Sequence, residues 1–436
     1  MAFLPKYFLM SDLFPVRNIP FAGVRFSLFV FWLLSFPMGG SLMQAYPGSV
    51  EPALFLLPHA LTLLLVSRYR VELVRKSQSV AAIVAAIITL SLLLPDPFIW
   101  LLPILGVSSA IISLNICNDL IHDASPVTVI AFGLIVGNIF LAITMLCKIP
   151  LAMHIIIIAL AILFLYKQQP SYQSHRSAIN LGMYLICLFL FHLVSGLMYG
   201  YVFPRYLAAT PAPGIELAFY IAAIAIAIGL KRFSPDILLV NAIGFAMFAF
   251  ALLLEAKPVS FVMGMFSLQA ASGFADMFVL LLIASAGGGL VELGYALGSV
   301  CSAILIGQYL VSANTVMMPG VALAGNLVLS LAVLCLYLFK RKTEARFKSE
   351  NISFLPSELI AARIPDRISC QLSARELYVL KQVVRGQTYR EIAEQIGVTE
   401  STIKTYMKRI REKTGTSTKR ELLALLSSTE TSVSIK

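Results

Sequence analysis

Long apolar runs follow one another along most of the chain, from about residue 26 to residue 339. A helix needs about 20 mainly apolar residues to cross a bilayer, and we count twelve runs near that length. We place them at 26–46, 50–67, 79–95, 97–117, 126–146, 149–166, 178–202, 214–230, 236–254, 259–284, 288–310 and 317–339. The pattern predicts an all-α fold: a polytopic membrane bundle of about twelve spans, with short connections that suit antiparallel hairpins.

The pattern changes near residue 340, where the apolar runs stop and short amphipathic segments follow. We divide the chain into a membrane domain (1–340), a linker interrupted by Pro356 and Pro365 (341–371), a domain of four short helices (372–428) and a tail (429–436). The small domain contains three pairs with capping-box spacing, in which side chain and backbone at a helix start hydrogen-bond reciprocally. These pairs are Ser373 with Glu376, Thr388 with Glu391, and Thr418 with Glu421. Gly386 and Gly397 fall just past predicted helices one and two, and Thr399 is a good N-cap for helix three.

The spacing within residues 388–410 is typical of a helix-turn-helix: small Ala393, then Gly397 at the turn, then Ile403 packing back on the first helix. In predicted helix three, Ile403, Met407 and Ile410 recur at i, i+4 and i+7 and should face the core. The opposite side carries Ser401, Lys404, Thr405, Lys408 and Arg411. On an isolated helix such a stripe is usually just solvated. As the second helix of a helix-turn-helix, it is the element that enters the DNA major groove.

The segment of about residues 370–428 resembles the LuxR/NarL-type DNA-binding domain of bacterial transcription regulators. The matching positions are Leu372, Arg375, Glu376, Val379, Leu380, Gly386, Glu391, Ile392, Ala393, Ile396, Thr399, Thr402, Ile403, Lys404, Ile410, Lys413 and Gly415. Tyr406, Thr414 and Lys419 depart from the residues common in that family. The resemblance implies base contacts from Lys404, Thr405 and Lys408, and phosphate contacts from Thr399, Thr402, Arg411 and Thr388. It also implies a homodimer on DNA through the fourth helix, which offers Leu422, Leu423, Leu425 and Leu426; alternatively, these leucines only close the domain core.

Charge predicts the orientation of the bundle. Only 13% of residues are charged and the net charge is +11, of which residues 341–436 contribute +7 (18 basic minus 11 acidic residues). With the N-terminus in the cytoplasm, the cytoplasmic loops collect fourteen Lys and Arg residues up to Lys342, and the outer loops collect three. By the positive-inside rule, both termini are predicted to be cytoplasmic in a multi-pass inner or plasma membrane protein.

The membrane part, about residues 20–340, resembles the major facilitator superfamily of transporters in its six-plus-six layout. Basic cytoplasmic loops at 68–76 and 231–236 occupy matching places, and the longest internal cytoplasmic connection, 167–176, divides the halves. The glycine-aspartate-basic loop signature common between spans two and three of that superfamily is absent from this sequence. An unrelated twelve-span bundle is the alternative.

An intramembrane carboxylate, Asp276, is the main candidate for a ligand site, because a charge in the bilayer is costly. Gln269, Gly273 and Asp276 share a helix face, and His192, Ser195 and Tyr199 form a similar stripe on span seven. In the resembled superfamily, spans one, four, seven and ten line a central cavity, so both stripes would face it. We therefore predict ligand contacts from Asp276, Gln269 and His192; the alternative is that Asp276 serves packing alone.

Nothing in the sequence indicates an enzyme, a cofactor or a metal site. The six cysteines lack CxxC spacing, and Gly287–289 lacks the lysine and strand context of a phosphate-binding loop, which makes a hairpin turn the better interpretation. We therefore predict a membrane-anchored, one-component transcription regulator with double-stranded DNA, membrane lipid and a small-molecule ligand as partners. The alternatives are a transporter with a regulatory DNA-binding tail and, less favoured, a membrane tether for DNA.

Overall fold

The computed structural model describes residues 21–36, 52–69, 71–94, 99–123, 125–166, 182–230, 236–312, 318–353, 369–384, 387–416 and 421–422. The regular elements in these ranges are all helices. The chain divides into two compact units, Met1–Arg341 and Lys342–Lys436.

The first unit contains twelve main helices in its described residues, and each overlaps one of the predicted runs. They are α1 (Phe21–Ser35), α2 (Pro52–Tyr69), α3 (Gln78–Ser91), α4 (Leu102–Ile121), α5 (Pro126–Leu146), α6 (Leu151–Leu163), α7 (Gly182–Leu197), α8 (Leu217–Leu230), α9 (Asp236–Leu253), α10 (Pro258–Ser285), α11 (Leu290–Ser312) and α12 (Met318–Ser353). A short helix, Val71–Lys76, lies between α2 and α3, and another, Phe203–Ala209, lies between α7 and α8. One π-turn, Met198–Val202, joins α7 to the short helix Phe203–Ala209.

By length and composition, seven segments of the described chain could cross a membrane. They lie on α4, α5, α7 with its continuation to Ala209, α9, α10, α11 and α12. The five remaining helices are apolar but shorter, and part of predicted run 26–46 lies outside the described residues. Many large apolar side chains point outward, such as Leu327 on α12, which is 73% exposed. Such a surface suits lipid better than water.

Helix packing among α1–α5 repeats among α7–α11. Helix α1 packs on α5 as α7 packs on α11; α2 and α3 pack on α4 as α8 and α9 pack on α10; and α2 packs on α11 as α8 packs on α5. Glycines sit at matching contacts. A Cβ on Gly106 of α4 would lie 2.5 Å from Phe55 O of α2, and one on Gly273 of α10 would lie 2.7 Å from Tyr220 O of α8. Small residues allow membrane helices this close approach.

A buried ion pair joins α1 to α4. Arg25 Nη1 lies 2.8 Å from Asp119 Oδ2, and the Arg25 side chain is 1% exposed. Trp32 of α1 also donates its indole N–H to Thr89 Oγ1 of α3 at 3.0 Å. These polar contacts connect the core helices of the first half, where each buried polar group needs a partner.

The second unit contains α13 (Ala374–Val384), α14 (Tyr389–Ile396) and α15 (Glu400–Thr414). Their core comprises Leu372, Val379, Leu380, Val383, Ile392, Ala393, Ile403, Met407, Ile410 and Leu422. The beginning of the predicted linker is helical, because α12 continues to Ser353. The rest of that linker to residue 368, Gly386, the Thr418 end of the third predicted capping box and most of the predicted fourth helix lie outside the described residues.

Candidate DNA-binding surface and membrane cavity

Side-chain caps begin the helices of the second unit. Thr388 N donates to Glu391 Oε2 at 2.8 Å and Glu391 N donates to Thr388 Oγ1 at 3.3 Å, which completes a capping box at the start of α14. Ser373 and Glu376 exchange the same two bonds at 2.8 and 3.3 Å. At the start of α15, Thr399 Oγ1 accepts from Thr402 N at 3.3 Å. These three predicted helix starts are confirmed.

Gly397 makes the turn between α14 and α15. It has φ +66° and ψ 35°, a left-handed conformation that glycine adopts without steric cost. Its N–H and that of Val398 both donate to Ala393 O, which closes α14. The chain then enters α15, whose Ile403 is fully buried against α13 and α14. This arrangement is the predicted helix-turn-helix.

Helix α15 has one buried and one exposed side. Ile403, Met407 and Ile410 are buried as predicted. On the opposite side, Ser401, Lys404, Thr405 and Lys408 are exposed, and we call these four residues the reading face. Lys404 Nζ lies 2.7 Å from Glu400 Oε1, whereas Lys408 Nζ lies 3.9 Å from Glu412 Oε1. Exposed ion pairs of this kind are weak, so both ammonium groups can turn to another acceptor.

The residues predicted to contact phosphates differ in their surroundings. Thr388 is exposed and uses its hydroxyl oxygen in the cap, so its O–H can still donate outward. The hydroxyls of Thr399 and Thr402 lie 2.9 Å apart and share one hydrogen bond. Arg411 is half-buried at the edge of the buried stripe, and its Nε donates to Met407 O at 3.3 Å. The three threonines therefore present hydroxyls at the two helix starts, while Arg411 is partly engaged with its own helix.

An ion pair between α13 and α15 has no counterpart among the sequence predictions. Lys413 Nζ lies 2.7 Å from Glu376 Oε2, and the Glu376 side chain is 4% exposed. Burial alone would raise the pKa of Glu376, but the hydrogen bonds from Lys413 and Ser373 outweigh it and hold that pKa below its ordinary value. The sequence showed Glu376 only as a cap partner; its second role depends on how the two helices pack.

Residues 370–426 match the GerE family of bacterial regulatory proteins, luxR family. This stretch is a LuxR-type helix-turn-helix domain. The match confirms the resemblance of about residues 370–428 to the LuxR/NarL-type DNA-binding domain. A search of curated proteins gave no match to the chain.

The first unit contains a cavity of about 190 Å³ between its two halves. Its lining comes from α1, α2, α4 and α5 of the first half and from α7, α8, α10 and α11 of the second. His192 and Ser195 of α7, Tyr199 of the following π-turn and Asp276 of α10 all line it. Gln269 does not: it is buried on α10, almost two turns from Asp276, and is not among the lining residues. The shared helix face predicted for Gln269 and Asp276 therefore does not place both at the cavity.

Asp276 has a partner that the sequence did not indicate. Tyr220 of α8 donates its hydroxyl to Asp276 Oδ2 at 2.7 Å. On the other side of the carboxylate, His192 Nε2 lies 4.0 Å from Asp276 Oδ1. The three side chains come from three helices of the second half and meet at the cavity wall.

The glycines at 287–289 form the turn between α10 and α11. Gly287 has φ +64°, and Gly289 N donates to Glu292 Oε2 at 2.9 Å, so Glu292 closes the start of α11. This is the hairpin turn that the sequence favoured over a phosphate-binding loop. In the described part of the chain, no group of three or more His, Cys, Asp or Glu side chains could hold a metal ion.

Proposed function

We propose that this protein is a membrane-anchored, one-component transcription regulator. The observation that carries the proposal is the LuxR-type domain, with an exposed reading face on α15, in the same chain as a large apolar helical unit. LuxR-family domains belong to DNA-binding regulators rather than enzymes. An anchored regulator of this kind receives its signal through the membrane unit and acts on DNA without a separate sensor protein.

We assign the base contacts to Lys404, Thr405 and Lys408. A lysine ammonium donates to guanine O6 and N7, and a threonine methyl packs on the thymine methyl. Thr388, Thr399 and Thr402 lie at helix starts, where hydroxyls and free N–H groups bind phosphate. Arg411 is a further phosphate contact that forms once its guanidinium turns outward. The domain binds double-stranded DNA as a homodimer through the fourth helix, of which Leu422 already belongs to the core.

For the membrane unit we propose a twelve-span bundle of the major facilitator type. Two observations support it: the pairing among α1–α5 recurs among α7–α11 with an offset of six helices, and the cavity lies between the halves. The excess of lysine and arginine in alternate loops supports a cytoplasmic location for both termini, and therefore for the DNA-binding domain. The outward apolar side chains then contact lipid.

We place the signal input at the cavity, with Asp276 and His192 as ligand contacts. A carboxylate at bilayer depth and a histidine on a facing helix are costly to retain in a wall that serves packing alone. The hydrogen bond from Tyr220 satisfies only one carboxylate oxygen. Gln269 is not among the residues that line this cavity, so we do not assign it a ligand contact.

A second candidate function is a transporter whose DNA-binding tail regulates transcription. The same cavity between two six-helix halves favours it. The two functions separate when residues 342–436 are deleted: transport across sealed vesicles persists in a transporter and is not expected of a sensor. A tether without sensing would bind DNA yet show no response to any ligand.

The test of DNA recognition uses the full-length protein in lipid nanodiscs and selection from a pool of random duplexes. We expect enrichment of a two-fold symmetric motif. Lys408→Ala should abolish the sequence preference. Arg409→Ala, the matched control, removes the same charge one position along the helix and about 100° away from Lys408, and should retain the preference. A protein that enriches no motif is not a sequence-specific regulator.

A further inference from the structure

The two oxygens of the Asp276 carboxylate are in different situations. Oδ2 accepts the Tyr220 hydroxyl at 2.7 Å, whereas no donor in the described part of the chain hydrogen-bonds Oδ1. The side chain is 42% exposed although it lies in the middle of α10, because it borders the cavity. An ionised carboxylate in such a place is costly unless a positive charge accompanies it.

His192 leaves a second acceptor beside that oxygen. Its Nδ1 lies 2.9 Å from Leu188 O, and a carbonyl can only accept, so Nδ1 carries the hydrogen. In the neutral ring, Nε2 then carries no hydrogen and its lone pair can accept a hydrogen bond. This atom lies 4.0 Å from Asp276 Oδ1. With a neutral His192, two acceptors therefore face the same small space. An ammonium group, which has three donors and no acceptor, can bridge both of them.

The remaining wall fits an apolar body with a single charge. Asp276 is the only carboxylate among the described lining residues, and neither lysine nor arginine is among them. Helix α1 contributes an apolar part of the lining, consisting of Phe26, Phe29, Val30, Leu33 and Leu34. The volume of about 190 Å³ is smaller than the roughly 300 Å³ at which pockets for drug-sized ligands begin. This volume suits a small ligand, with about one ring or a short alkyl chain.

We propose that this cavity binds a small organic cation. Its ammonium group lies between Asp276 Oδ1 and His192 Nε2, and its apolar body packs against the apolar side chains of α1. The proposal deepens the sensing role given above and rests on it. An organic anion would be repelled by the Asp276 carboxylate. A multivalent metal ion would find too few ligands among the described side chains.

The test measures ligand binding to the purified full-length protein in lipid nanodiscs by calorimetry, without DNA. Three compounds that share a phenethyl body and differ in the charge of the end group serve as probes: phenethylammonium, neutral 2-phenylethanol and the slightly larger anion 3-phenylpropionate. We expect phenethylammonium to bind at least about tenfold more tightly than either of the others, because breaking a buried charge pair typically costs that much or more. Equal affinities, a preference for the anion, or no binding of phenethylammonium at millimolar concentration would overturn the proposal.

Asp276→Asn should weaken phenethylammonium binding by about tenfold or more and leave 2-phenylethanol binding unchanged. The matched control is Asp236→Asn, since Asp236 also accepts a tyrosine hydroxyl, that of Tyr184 at 2.9 Å, but does not line the cavity. Unchanged phenethylammonium affinity in Asp276→Asn contradicts the assignment. If that variant does not fold, the comparison of the three compounds on the unaltered protein decides alone.

Failure here is distinguishable from failure of the proposed regulator. Phenethylammonium binding with no selected DNA motif leaves the cavity site standing and removes the regulator. A selected DNA motif with no preference for the cation keeps the regulator and removes this ligand class.

Discussion

Lys404 is the reading-face residue with the closest internal competitor. Its ammonium lies 2.7 Å from Glu400 Oε1, and that hydrogen bond lowers the pKa of the Glu400 carboxyl. To contact a base, Lys404 must leave this carboxylate, which also carries a negative charge towards the DNA backbone. Glu400 should therefore oppose DNA binding even though it stabilises the start of α15 through the helix dipole.

We predict that Glu400→Gln tightens binding to the selected duplex by about twofold, a change typical of an exposed i,i+4 pair. Lys404→Ala should weaken binding by about 1–3 kcal/mol, or roughly 5- to 150-fold, if the lysine contacts a base. The two effects are coupled. Once Lys404 is alanine, Glu400→Gln no longer releases a lysine ammonium, so it should change DNA affinity less than it does in the wild-type background. Glu412→Gln is the control, because its carboxylate lies 3.9 Å from Lys408 and holds it more loosely.

The assay is fluorescence anisotropy of labelled duplex with full-length protein in nanodiscs, at one fixed salt concentration, for the selected site and a scrambled duplex. Hydrogen exchange on α15 checks that each variant remains folded. Weaker binding of the selected site by Glu400→Gln would refute the reasoning, since Glu400 would then be making a contact of its own, such as accepting from cytosine N4.

Three further predictions concern packing, pH and topology. Gly307→Leu should prevent the membrane unit from eluting as a single species in detergent, because the new side chain meets the α7 backbone at Leu193 and Gly196; Gly244→Leu, with open space around it, should not. The pKa of Glu376 is lowered in the folded domain, so the stability that its carboxylate contributes is present at neutral pH and is lost as the pH falls through the lowered pKa. In wild type, hydrogen-exchange protection of α13 and α15 should therefore decrease in acid, and in Glu376→Gln this decrease should be smaller. Reporter fusions after residues 72, 172, 234 and 345 should report cytoplasm, and those near 148 and 207 the outer side.

Local signals in the sequence predicted most of the DNA-binding domain. A capping box, a glycine turn and an i, i+4, i+7 stripe depend on residues at most seven positions apart, and the structure shows each of them at Thr388, Gly397 and Ile403. The Lys413–Glu376 pair could not be predicted in this way. It joins residues 37 positions apart, and only the packing angle of α13 and α15 brings them together.

The cavity was harder to predict because a membrane helix is apolar on every side. Helix α10 has almost no preferred apolar face, so its sequence does not tell which side turns inward. Polar residues were the only feature of the sequence that indicated which helix faces line the cavity. It succeeded for Asp276 and for the stripe of His192, Ser195 and Tyr199 but placed Gln269 at the cavity, where it does not lie. Tyr220 was missed because its partner lies 56 residues away.

The most direct test of an anchored DNA-binding regulator is crosslinking in growing cells, followed by isolation of the membrane fraction and mapping of the chromosomal DNA held by the full-length chain. The account predicts a set of discrete sites that share the selected motif, recovered with the intact membrane-bound protein and lost when Lys404 and Lys408 are both alanine. Sites that persist in that double variant, or that are recovered only with a soluble fragment of the tail, would contradict it.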